Sequence, residues 1–189
     1  MYKNKIITLF FYILIFLVSC QKQQPRKPIS RITKSFIDES IQRNKLIVSK
    51  QETLIDSFIK KDTINNYIPS NKGYWYCYKN KIETDLQLPQ KGDVVIYEYD
   101  IKNLDGTTIY SKEELQPQTY HIDKEQEIIN GLRHGIKLMK EGEIVTFIFP
   151  SHLAYGYRGD KNKIEINKPI VCTVTLKNVK FGASLNKND

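Results

Sequence analysis

The chain has 189 residues, 40% of them hydrophobic and 26% charged, and its 29 lysines and arginines against 21 aspartates and glutamates give a formal charge of +8. That length suits one domain with its own core plus an extension, and the composition is ordinary for a globular protein. The surplus lysines are spread along the chain, which reads as a solvated face or attraction to anionic headgroups and not as a nucleic-acid footprint.

The first element is a leader. Lys3 and Lys5 precede an apolar run from Ile6 to Phe16, then "LVSC" at 17–20 and the polar "QKQQPRKP". A basic start, a short apolar stretch and small residues before Cys20 describe an export signal, and the run is too short for a comfortable membrane span. The pattern resembles the lipobox of bacterial lipoproteins. That resemblance implies a signal peptide and lipobox over 1–20 and acylation of Cys20 as the first mature residue. At about 0.8 kcal/mol per buried methylene, several acyl chains make a permanent membrane anchor. Gln21 after the cysteine, where an inner-membrane retention signal would put aspartate, implies a lipid-anchored protein of the cell envelope, on the outer membrane and facing the periplasm. A protein placed there meets little nucleic acid. Once Cys20 is spent, Cys77 and Cys172 remain in strand-like runs, either as one disulfide or as two small buried hydrophobes.

Residues 21–33, with Pro25 and Pro28, read as a tether. From Lys34 to Lys61, apolar residues at Ile37, Ile41, Val48, Ile55 and Ile59, with Leu54 and Phe58 alongside, predict one long helix or two broken near Ser49. This helical extension covers 34–70 and offers a surface for a homodimer. The grammar then changes: "NNYIPSNKGYWYCYKNKIE" ends the helix and starts an aromatic strand after Gly73, opening a domain over 71–189. "VVIYEYDI" at 94–101 alternates Val95, Tyr97, Tyr99 and Ile101 against Val94, Ile96, Glu98 and Asp100, and Asp105-Gly106 supplies a hairpin corner. "TYHI" at 119–122 is extended, "EIINGLRHGIKLMKEGE" at 127–143 makes a short helix, and "IVTFIFP" and "IVCTVTLKNV" are two further strands. The plan is α+β: a small, mostly antiparallel sheet wrapped against a single helix. Gly131, Gly135 and Gly142 interrupt the helical segment. Each glycine inside a helix costs about 1 kcal/mol against alanine, so a corner, a close approach or a cap must account for them.

Four blocks in order, "KGDVVIYEYDIKNLDG", "EIINGLRHGIKLMKEGE", "FPSHLAYGYRG" and "IEINKPIVCTVTL", resemble the FKBP-type peptidyl-prolyl cis-trans isomerases from about Gly73 to Phe181. The resemblance implies an FKBP-like antiparallel sheet wrapped around one short helix, proline-containing polypeptides as substrates, and neither metal nor cofactor. It implies that Gly131 lets the helix start abruptly, Gly135 lets it lie close on the sheet, and Gly142 turns the chain into the next strand. It implies catalytic roles for Tyr99, for Ile129 and for Tyr155, whose hydroxyl would donate to the substrate carbonyl. Substrate-binding positions follow at Ile109, Tyr110, Tyr120, Ile128, Leu132, Ile164 and Cys172. Several depart from the family: Ile109-Tyr110 stands where many members have Phe-Asp, Leu132 where the floor is usually tryptophan, and Cys172 where the last strand usually presents an aromatic. Those changes imply a wider, less polar cleft, with a weakly active or inactive chaperone module as the alternative. With the lipobox and the helix, the whole looks most like the gliding-motility-associated lipoproteins of this family. His121, His134 and His152 have no metal-ligand spacing.

Overall fold

The computed structural model describes residues 34–124 and 128–182; the leader with Cys20 and the tether over 21–33 lie outside the described residues. The apolar spacing from Ile37 to Ile59 builds one unbroken helix, α1 (Lys34–Lys61), without the break near Ser49. Lys60 and Lys61 occupy its last turn, where cations complement the helix dipole. Asp62 stops the chain there: its carboxylate accepts the backbone N–H groups of Ile64 and Asn65 and the Tyr67 hydroxyl. Chain contacts divide the protein after Glu39, and Ser40–Asp189 form one unit.

Among the described residues seven strands make one sheet: β1 (Ile68–Pro69), β2 (Trp75–Asn80), β3 (Val94–Lys102), β4 (Thr108–Tyr110), β5 (Gln118–His121), β6 (Ile144–Phe149) and β7 (Ile170–Lys180). Their order is β1-β2-β6-β7-β3-β4, with β5 also paired to β3, and every pairing is antiparallel. A one-turn helix, α2 (Lys112–Leu115), links β4 to β5 and is capped by the Ser111 side chain. β1 and α2 were not foreseen; two and four residues are too few for periodicity to register.

The short helix α3 (Asn130–Gly135) runs on into a 3-10 turn over Ile136–Leu138. It buries Leu132 and Ile136 in a core that includes Val95, Tyr97 and Ile101 of β3, Phe147 and Phe149 of β6, and Cys172, Val174 and Leu176 of β7. The opposite face of β6 is covered too, because Ile55 of α1 is 0% exposed against Ile148 and Val171. A strand buried on both faces needs a nearly continuous apolar run, and "IVTFIF" is one, its single polar residue, Thr146, being hydrogen-bonded through its hydroxyl to Thr173.

The glycines follow from this packing. A Cβ at Gly131 would sit 2.4 Å from Cδ1 of Phe149, and one at Gly135 would sit 2.7 Å from Cε1 of Phe147. Both therefore serve close approach to β6; at Gly131 this adds to the expected abrupt start, the helix beginning at Asn130 directly after the extended Ile129. Gly142, at φ +87°, makes the turn into β6. Cys77 and Cys172 are buried and free. β6 runs between their strands, with Cys77 opposite Thr146 and Cys172 opposite Phe147. Two strand spacings put their Cα atoms about 10 Å apart, beyond the about 7 Å that a disulfide can span.

Candidate functional site

β3 supplies Tyr97 and Tyr99 on one face, their rings 5.4 Å apart and tilted by 37°. β5 runs beside β3 and places Gln118, Thr119 and Tyr120 next to them. Ile128 and Ile129 precede α3, with Ile129 extended at φ −58°, ψ 145°, and its carbonyl accepts the Arg133 N–H. Leu132 rises from the helix beneath. Tyr155 enters from the irregular segment after β6, between the 3-10 turns Ser151–Leu153 and Gly156–Arg158. Together these nine residues line a cleft of about 270 Å³.

Six of the ten predicted binding and catalytic positions thus come together: Tyr99, Tyr120, Ile128, Ile129, Leu132 and Tyr155. Tyr120 and Leu132 are almost fully buried and form its base, while Tyr99, Ile128, Ile129 and Tyr155 are half-buried walls. The Tyr120 hydroxyl accepts the Asp123 N–H at 3.0 Å, which fixes the ring. Tyr97, Gln118 and Thr119 were missed; Tyr97 lies two residues from Tyr99 on the same face of one strand, so alternation carried its signal. Gln118 and Thr119 also make the lining more polar than the resemblance implies.

The other four do not line it, although Cys172 and Tyr110 lie close enough to Tyr99 and Tyr155 to act on their phenols. Cys172 is 0% exposed in the core, and burial pushes its thiol pKa up. Ile109 and Ile164 share a separate small cavity of about 90 Å³. Tyr110 donates its hydroxyl to the Asp160 carboxylate and accepts from Asn162 Nδ2 at 3.1 Å, with the Lys163 ammonium 4.7 Å from its ring centroid. An acid, Asp160, thus faces Tyr110, outside the lining of the cleft. That carboxylate also accepts the N–H groups of Asn162 and Ile164, each at 2.8 Å. Burial acts against its charge, but the hydrogen bonds from Tyr110, Asn162 and Ile164 outweigh it and hold the carboxyl below its usual range. The sequence sign was the aspartate two residues before Asn162, a side chain that closes turns on its own backbone.

Burial, with Cys172 and Tyr110 nearby, pushes the Tyr99 phenol up to about 12. Burial raises Tyr155 as well, with Tyr99 and Cys172 adding to it. Both hydroxyls stay protonated donors at neutral pH. The sign for stability follows from the protons bound. Above the ordinary value of 10 the unfolded chain loses phenolic protons that the folded chain keeps, so stability falls as pH rises from about 10 to about 12. Thermal unfolding followed by circular dichroism is expected to give a midpoint that does not respond to these phenols between pH 7 and 9 and that drops above pH 10. A midpoint as high at pH 11 as at pH 8 would contradict this.

Residues 86–177 match the family described as FKBP-type peptidyl-prolyl cis-trans isomerase, and every residue of the cleft lies inside that span. The chain carries an FKBP-type domain. It is 26% identical over 170 residues to "Probable FKBP-type peptidyl-prolyl cis-trans isomerase FkpA" of Neisseria meningitidis serogroup B, a match covering 89% of this chain and 60% of that protein. It is 31% identical over 96 residues to "Outer membrane protein MIP" of Legionella longbeachae, covering 50% of this chain and 40% of the other. The chain therefore spans about 60% or less of the length of these curated relatives. The crystal structure of FkpA from Escherichia coli superposes with a TM-score of 0.58 at 22% identity, covering 80% of this chain and 75% of that one, which establishes the shared FKBP-like fold.

Proposed function

We propose that the protein is an exported, lipid-anchored peptidyl-prolyl cis-trans isomerase that assists the folding of envelope or secreted proteins. The observation that carries this is the gathering of Tyr99, Ile128, Ile129, Leu132 and Tyr155 around one cleft of the FKBP-type domain. Rotation about an X-Pro amide breaks no bond and faces a barrier of about 18–20 kcal/mol set by resonance. At the top of that barrier the amide is twisted and its carbonyl carries less charge than in the planar ground state. A cleft that replaces water with aromatic and aliphatic walls therefore favours the twisted form, which is catalysis by differential binding. Tyr99, Ile129 and Tyr155 act on the amide, with Ile128, Tyr120 and Leu132 shaping the seat for proline. Amide rotation calls for no cofactor. The test is an isomerisation assay on proline peptides with the chain from Gln21 onward: a rate above buffer is expected, and a rate equal to buffer would overturn the proposal.

A second reading, an FKBP-like binding or chaperone module without turnover, is favoured by Leu132 and Cys172 at positions the family usually fills with aromatics. A proline peptide that binds in that assay without being isomerised would select it. The anchor is Cys20 and the location the outer membrane, facing the periplasm. Fatty-acid labelling should be present in the full chain and lost in Cys20→Ser. The gliding-motility role rests on the resemblance of leader, helix and domain, and a deletion strain that glides normally would remove it. Homodimerisation is proposed through exposed apolar positions of α1, among them Ile41 and Leu46. A double Ile41→Asp, Leu46→Asp chain should sediment as a monomer where the wild type does not. Deleting 34–61 would test less cleanly, because Ile55 covers the outer face of β6.

A further inference from the structure

Tyr155 sits on a segment with no regular strand or helix beyond two 3-10 turns, yet it must hold its ring and hydroxyl at a fixed height in the cleft. The two ends of that segment, Ser151 and Asn167, meet at one side chain from far away in sequence. Gln51 of α1 accepts the Ser151 N–H through Oε1 at 2.8 Å, and its Nε2 donates to Ser151 Oγ and to the Asn167 carbonyl, each at 2.9 Å. The Asn167 N–H in turn donates to the carbonyl of Gly156, the residue after Tyr155, at 2.8 Å. Gln51 is 4% exposed, and Ile55, one turn along the same helix face, is locked against Ile148 and Val171. The amide is thus held by a rigid element and uses one acceptor and both of its donors on the segment that carries Tyr155. An apolar side chain here would leave the buried Ser151 N–H and the Asn167 carbonyl without these partners, so at Gln51 α1 does more than cover β6.

We infer that Gln51 is a positioning residue for the cleft, setting Tyr155 in place by tying together both ends of the 151–167 segment. This rests on the isomerase reading, and two readouts keep the two apart. In the full-length chain, Gln51→Met keeps the volume and removes all three hydrogen bonds. It is expected to lower kcat/KM on proline peptides about tenfold, with the loss in kcat and KM little changed, because misplacing a reacting geometry from a distance costs rate more than affinity. The Asn167 amide, which bonds Gly156 and not Gln51, is expected to exchange hydrogen faster in the same variant. Ser151→Ala removes only the hydroxyl acceptor and is expected to lower kcat about threefold; it carries the test alone if Gln51→Met does not fold. A kcat/KM within twofold of wild type, or a lowered thermal midpoint with unchanged kcat and unchanged Asn167 exchange, overturns the inference. A wild type no faster than buffer defeats the isomerase reading instead, and Asn167 exchange then decides the role of Gln51.

Discussion

Gly131→Ala is expected to lower the unfolding free energy by about 2 kcal/mol, although alanine is the better helix former by about 1 kcal/mol. The added methyl would have to enter a space whose nearest atoms are Cδ1, Cε1 and Cγ of Phe149 at 2.4, 2.6 and 2.7 Å, all closer than real Cβ contacts come. Phe149 has no room to retreat. It is fully buried, stacked on Phe147 with ring centroids 5.5 Å apart and 9° between planes, and met edge-on by Tyr74 at 5.5 Å. Overpacking a filled core costs about 1–3 kcal/mol, and the rigid aromatic neighbours place this site at the upper end, so the net is a loss. In a chain of this size that is about 4–8 °C in the thermal midpoint. The same substitution made together with Phe149→Leu should cost less than the sum of the two singles, since the smaller side chain removes the obstacle. A Gly131→Ala protein as stable as wild type would mean that α3 does not lie on β6 as closely as it does here.

What the sequence carried, it carried where packing leaves a period. β3 was legible because Val95, Tyr97 and Ile101 alternate inward, and β6 and β7 because their apolar runs are long. The cleft was legible as far as its residues sit on those elements or beside α3: Tyr99, Tyr120, Ile128, Ile129 and Leu132, with Tyr155 identified through the "AYG" block. The positions outside its lining have local reasons. Ile109 and Tyr110 belong to β4, three residues placed by pairing with β3, and Ile164 to the 160–168 loop, which the Asp160 carboxylate closes; neither is long enough to show a hydrophobic period. Cys172 lies on the strand expected to line the pocket, but a side chain this small stays below the surface between larger neighbours. Gln51 was invisible for a different reason. A polar residue on a helix looks solvent-facing unless one knows that Ser151, 100 residues later, waits opposite it.

Tyr99→Ala is expected to reduce kcat/KM for proline-peptide isomerisation about tenfold to a hundredfold, which is about 1.4–2.7 kcal/mol of transition-state stabilisation. The Tyr99 ring leans on Tyr97 and, with Ile128, Ile129 and Tyr155, walls the cleft. Removing it admits water to the seat of the amide, and water solvates the planar, more polar amide better than the twisted one, so the difference that lowers the barrier shrinks. Tyr155→Phe separates wall from donor. It keeps the ring and takes away a hydroxyl that burial holds protonated, so a drop of about tenfold is expected if that hydroxyl donates to the carbonyl during rotation. Both variants are to be compared at a temperature well below their unfolding midpoints, because Tyr99 packs on the core and its loss also lowers stability. Unchanged turnover in Tyr155→Phe with a large loss in Tyr99→Ala would assign the rate to exclusion of water alone. Unchanged turnover in both would move the reaction out of this cleft.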